Sequence, residues 1–199
     1  VFSKIQKVAL ESITKYDLCV NASAYEDLKI IHEYHQKTGK SPNIHLKFDT
    51  GMTRLGFEIE EARTVFKFLK KHPHLKFEGL YSHFATADEG ELGYANAQLS
   101  KFNKIIKLSR DLDIHFKYIH CSNSGAILNL TDSYFNTIRV GMLLYGSAPS
   151  KDVLMNIEVE PVMSFCGPII NVRKVKKGTQ VSYGGVYTTN QISNIAVVQ

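Results

Sequence analysis

Apolar residues recur along this chain with two different periods. Tyr25, Leu28, Ile31 and His35 share one stripe, which predicts a helix over 25–37. Gly39 and Pro42 then end it. Ile59, Ala62, Phe66 and Leu69 form a second stripe over 59–71, stopped by His72-Pro73. Leu99, Phe102 and Ile106 form a third over 95–112. Between these stripes lie short apolar runs at 17–21, 44–48, 77–84, 117–121 and 137–144, each of strand length. Strands alternating with helices of this length predict βαβ units and a parallel sheet. After Pro161 the texture changes: 162–175 and 179–195 are β-rich, with Gly178 and Gly184-Gly185 as turns and no helical stripe. The expected organisation is an α/β part over 1–157 and an all-β part over 158–199.

Composition supports a globular chain: 199 residues, 44% hydrophobic and 22% charged. No run of about 18 apolar residues is present, so no transmembrane helix is expected. The first ten residues do not read as a signal peptide. The formal charge of +5 is scattered, and its densest patches, 67–76 and 173–178, read as solvated faces and turns. No nucleic-acid motif is present. Cys19, Cys121 and Cys166 lack CxxC spacing, which points to a reducing, cytoplasmic setting. No metal site is expected, because His32 and His35 are not at HExxH spacing and His72 and His74 flank a turn.

The predicted strand ends are unusually polar. The strand at 44–48 runs into Asp49-Thr50-Gly51-Met52-Thr53-Arg54, that at 77–82 into His83, and that at 117–121 into Ser122-Asn123-Ser124-Gly125. Arg139 and Gly141 belong to the last one. Parallel α/β folds carry their reactive groups at these ends. Strand alternation puts Ile44, Leu46 and Phe48 on one face and His45, Lys47 and Asp49 on the other. A buried Lys47 must then be paired, with Asp49 or Glu78, or modified. His83 reads either as a satisfied interior histidine or as a site residue. Asn123-Ser124-Gly125 suits a phosphate or an ordinary helix cap.

With these residues in view, the chain resembles the alanine racemases, fold-type III enzymes that use pyridoxal 5'-phosphate. HLKFDTGMTRLGF at 45–57 resembles the family's DTGMxRLG signature. GLYSHFATAD at 79–88, HCSNS at 120–124, NTIRVGMLLYG at 136–146 and VSYGGVYTT at 181–189 follow in the family's order. The resemblance implies part of a (β/α)8 TIM-type barrel that binds the cofactor, followed by the start of a C-terminal β domain. It also implies interconversion of L- and D-alanine by two-base proton transfer, D-alanine for peptidoglycan, and a homodimer.

The resemblance further implies roles. Arg139 would hydrogen-bond the cofactor's pyridine nitrogen, and His83 would pack on its ring. Asn123 and Ser124, with the backbone near Gly141 and Met142, would hold the phosphate. Tyr183 would be a catalytic base reaching the partner subunit's active site. Arg54 would lie near that phenol and the substrate carboxylate. Lys47 matches a position that is often carbamylated.

The family's Schiff-base lysine, in a VKANAYG-like segment, has no counterpart here. VNASAYED at 20–27 carries Ala22 where the lysine would fall. The expectation is therefore an internal stretch of a longer racemase, lacking the first three barrel strands and most of the β domain, and inactive alone. A racemase of another small amino acid such as serine, and a non-catalytic barrel that binds pyridoxal phosphate, are the alternatives.

Overall fold

The computed structural model describes residues 4–199. The described chain divides after Glu160 into two compact units. The first is built on four parallel strands in the order β1 (Cys19–Ala22), β2 (Asn43–Lys47), β3 (Lys76–Tyr81) and β4 (Tyr118–His120). Between them run α2 (Tyr25–Thr38), α3 (Ala62–Lys71) and α4 (Gly93–Asp111), and α5 (Ser124–Asn129) follows β4. Successive strands lie side by side and each crossover is helical, as in a segment of a (β/α) barrel.

The apolar stripes build the core. Leu28 and Ile31 of α2, Ala62, Phe66 and Leu69 of α3, and Leu99, Phe102 and Ile106 of α4 are all buried. They meet the strand face made by Ile44, Leu46 and Phe48, with the rings of Phe48 and Phe66 at 5.9 Å. At the start of α2 the buried Asp27 carboxylate accepts from the N–H groups of Ser23 at 2.9 Å and Ala24 at 3.1 Å, which satisfies amides the first turn leaves open. Gly39, at φ 68°, closes the helix in the left-handed region that a residue without Cβ enters freely.

Two expectations are corrected. The run at 137–144 is not a strand. Thr137 makes a single parallel bridge to His120, and Met142–Tyr145 then forms a 3-10 turn. The reason is local: the Ser124 hydroxyl takes the N–H groups of Gly141 and Leu143, which a strand would have given to a neighbour. The strand predicted over 77–84 ends at Tyr81: the Ser82 N–H still reaches the His120 carbonyl, but the Ser82 carbonyl accepts from Arg139 Nη2 at 2.9 Å instead of a neighbouring strand. A short helix, α1 (Leu10–Lys15), was not anticipated; only Leu10 within it is buried, so it carries no stripe.

The second unit, Pro161–Gln199, pairs β5 (Ile169–Val175) with β8 (Ser193–Val198) and β6 (Gln180–Val181) with β7 (Tyr187–Thr188), both antiparallel. Thr189 is its buried polar anchor: its Oγ1 donates to the Lys176 carbonyl and accepts from the Thr179 N–H. Between β6 and β7 lies a 3-10 turn, Tyr183–Gly185, entered through Ser182 at φ 59°.

Candidate active site

Because β2, β3 and β4 are parallel, their C-terminal ends lie together, and the register places Tyr81 opposite both Lys47 and His120. At this end Arg139 meets acceptors on His120, His83, Ser82 and Cys121. Nη1 meets Nδ1 of His120 at 2.6 Å. Nη2 meets Nδ1 of His83 at 2.9 Å, the Ser82 carbonyl at 2.9 Å and the Cys121 carbonyl at 3.1 Å. The Arg139 N–H also donates to the Ser122 carbonyl at 3.0 Å, so both backbone and side chain are tied to the ends of β3 and β4.

A guanidinium only donates, so both Nδ1 atoms must accept. Both histidines therefore carry their proton on Nε2 when neutral. They are kept neutral: burial first, then the Arg139 charge, pushes His120 down to about 3 and His83 to about 4. Nε2 of His120 then donates to Nδ1 of His45 at 2.9 Å. The Tyr81 ring stacks on His120 with centroids 4.8 Å apart, and its hydroxyl donates to Asn21 at 2.9 Å. Burial pushes that phenol up, out of reach of ordinary pH.

Beside this network, His83, Asn123, Ser124, Arg139, Gly141 and Met142 line one cavity of about 230 Å³, together with Asp88 and Pro149. Asn123 caps α5, its Oδ1 accepting from the Ala126 N–H at 3.0 Å. Ser124 Oγ accepts from the N–H groups of Gly141 at 3.0 Å and Leu143 at 3.4 Å. With both acceptor positions taken, its proton is what Ser124 offers a ligand. Gly141 leaves that corner open, since a Cβ there would stand 3.6 Å from Ser124 Oγ.

Lys47 is 4% exposed and forms no ion pair among the described residues. Of the two partners considered, neither Asp49 nor Glu78 pairs with it, and Asp49 Oδ1 instead accepts the N–H groups of Gly51 and Met52, each at 2.8 Å. Burial, then the charge of Arg54, pushes the Lys47 ammonium down. Arg54 stands on the exposed loop that leaves β2, and its field also reaches His83. That loop returns to the sheet where Phe57 and Lys47 bond at 2.9 Å, and Tyr94 clamps it at the Gly51 carbonyl. Tyr183 belongs to the second unit, where its ring is 98% exposed on the turn after β6.

His120, His45 and Tyr81 were missed as site residues. Strand alternation carried the signal: His45 shares a face with Lys47, and Tyr81 with His83, and the register sets them side by side.

Comparison with known proteins gives one answer for both units. Residues 1–149 match the family model "Alanine racemase, N-terminal domain", and residues 162–199 match "Alanine racemase, C-terminal domain". The chain is 33% identical over 198 residues to an alanine racemase of Halothermothrix orenii, covering 100% of this chain and 52% of that protein. It is 37% identical over 187 residues to alanine racemase 1 of Bacillus subtilis, covering 92% of this chain and 47% of that protein. Among solved structures, alanine racemase of Clostridium difficile 630 superposes with a TM-score of 0.79 at 30% identity, covering 98% of this chain and 52% of that one. The chain thus spans about half the length of the curated relatives it matches. The motifs, the parallel sheet with helical crossovers and the following β unit agree with these matches, and the chain belongs to the alanine racemase family.

Proposed function

We propose that this chain is part of an alanine racemase that interconverts L- and D-alanine with pyridoxal 5'-phosphate, acts as a homodimer and supplies D-alanine for peptidoglycan. The observation that carries this reading is the clasp of Arg139 by His83 and His120 at the wall of a cavity that also holds Ser124 and Gly141. The donor set fits the cofactor. Arg139 offers a fixed cation toward a pyridine nitrogen, the neutral His83 ring offers a face, and Ser124 and Asn123, with the backbone at Gly141 and Met142, suit a phosphate.

Pyridoxal phosphate, when bound, supplies the electron sink that acidifies the hydrogen on the substrate's α-carbon. Arg139 donates without giving up its proton, so it leaves a pyridine nitrogen unprotonated and moderates that sink. Tyr183, from the partner subunit, takes or returns a proton at its phenolic oxygen on one face of the substrate. A cation beside the phenol favours the phenolate, and this is the role of Arg54, which also meets the substrate carboxylate. Carbamylation of Lys47 removes a buried ammonium and supplies Arg54 with an anion. The base for the opposite face corresponds in the family to the lysine that these residues do not include.

The test is exchange of the α-hydrogen in D2O, followed by proton NMR for L- and D-alanine separately, with the intact protein and its Tyr183→Phe variant. The intact protein exchanges both enantiomers. The variant loses about 10²–10⁴-fold in exchange from one enantiomer, while its fold is unaffected because the ring is 98% exposed within its unit. Equal, undiminished exchange of both enantiomers in the variant overturns the role of Tyr183. Exchange of serine in preference to alanine overturns the substrate.

A further inference from the structure

Away from the cavity, four histidines gather at the opposite end of the sheet. His32 and His35 lie one turn apart on α2, and His72 and His74 flank Pro73 just before β3. The C-terminal ends of α2 and α3 lead back to the starts of β2 and β3, so this cluster sits at the N-terminal ends of the strands. That end of a (β/α) barrel serves stability rather than catalysis.

The rings are close. His32 and His72 have centroids 4.2 Å apart, His32 and His74 5.9 Å, and His35 stacks on His74 at 4.3 Å. One nitrogen each from His32, His72 and His74 lies within 4.8 Å of the other two. Nδ1 of His32 and Nδ1 of His35 are buried without a hydrogen-bond partner among the described residues. Ring packing alone leaves such nitrogens unsatisfied, and a buried polar atom without a partner asks for one that is missing. No carboxylate forms an ion pair with any of the four among the described residues.

We propose that His32, His72 and His74 bind a divalent transition metal, zinc above all, that staples α2 to the end of α3. Imidazole nitrogen suits zinc, nickel, cobalt and copper, and not the harder magnesium or calcium. Zinc takes its nitrogens at about 2.0–2.1 Å, which sets them about 3.4 Å apart in a tetrahedron. The observed separations close to that value by side-chain rotation, and the short turn around Pro73 carries two of the three ligands. Three histidines leave a fourth position for water, and His35 backs His74 by stacking. The site is independent of the alanine reading, since none of its residues lines the cavity.

The experiment uses the intact protein, stripped of metal with a chelator, and three variants: His72→Gln, His74→Gln and, away from the cluster, His115→Gln. Cobalt(II) and zinc(II) are the probes. Cobalt is expected to give the visible d–d bands of a tetrahedral nitrogen site, which zinc then bleaches. Saturating zinc raises Tm by roughly 5–10 °C, as expected for a ligand about 100-fold above its Kd acting on a protein of this size. His74→Gln, an exposed change, weakens binding by at least about 10-fold, the loss that even an outer-shell change brings. His72→Gln behaves alike, and His115→Gln and the racemase rate at low metal do not change. No tetrahedral cobalt spectrum, no Tm shift, or equal binding by the His74→Gln variant overturns the site.

Discussion

Arg139 and His120 meet at 2.6 Å, Nη1 to Nδ1, with the imidazole as acceptor. One arginine thereby sets the tautomer of two histidines and, through His120, of a third. The cation is pinned on the ends of β3 and β4 before any ligand arrives, so its direction is set by the fold.

Arg139→Glu is expected to invert this arrangement. The variant removes the charge that helps hold His83 near about 4 and His120 near about 3, so both titrate upward toward the ordinary 6.5. In the cofactor-loaded protein a carboxylate favours a protonated pyridine, and pyruvate formed per racemisation turnover increases. Histidine NMR titration reads the first effect without the cofactor, and a pyruvate assay reads the second. Unchanged histidine titration in a folded variant counts against the electrostatic account.

Stability is expected to fall as pH drops below about 6.5. His83 and His120 have folded pKa values below the ordinary 6.5, so between that value and about 4 the unfolded chain binds protons that the folded chain refuses. Their contribution is complete above pH 6.5 and is lost as pH falls toward the folded values. The slope reaches about 1.4 kcal/mol per pH unit for each histidine. Urea denaturation of the intact protein at several pH values checks the direction. A midpoint constant between pH 7.5 and pH 5 contradicts it.

Gly79→Ala is expected to disturb the histidine chain. Gly79 lies opposite His45 in the ladder between β2 and β3, and a Cβ on it would overlap the His45 imidazole. The overlap costs about 1–3 kcal/mol and pushes His45 away from His120. The denaturation midpoint measures the first effect, and loss of the hydrogen-bonded His45 nitrogen signal in 15N NMR measures the second.

Lys47 is expected to react with carbon dioxide. Its amine is buried, pushed down by burial and by Arg54, and without an ion pair among the described residues. The ammonium first gives up one proton, which its lowered pKa favours; the neutral amine nitrogen then bonds to the carbon of carbon dioxide and releases a second, leaving a carbamate anion in place of a cation. With 13C-labelled bicarbonate the intact protein shows a carbamate resonance that Lys47→Gln lacks. An identical spectrum from the variant removes Lys47 as its origin.

The sequence by itself determined the alternation of elements and the residue types at their ends. The stripes of α2, α3 and α4 are visible because helices that bury one face must repeat every three to four residues. The strand at 44–48 is visible because Ile44, Leu46 and Phe48 alternate with polar residues. The ordered set of five motifs, at 45–57, 79–88, 120–124, 136–146 and 181–189, pointed to the family from residue identity alone. Tertiary structure decided what local pattern does not encode. Residues 137–144 have the apolar content of a strand, yet Ser124, far away in sequence, captures the amides of Gly141 and Leu143 and turns the chain. Asp49 beside Lys47 reads as a partner in sequence, yet its carboxylate is taken by the amides of its own loop. His32 and His74 show no shared spacing, because the 42-residue separation is closed only when α2 and α3 pack on adjacent strands. Periodicity reports which face of an element is buried; which side chains then meet depends on register and crossover, and those are properties of the assembled sheet.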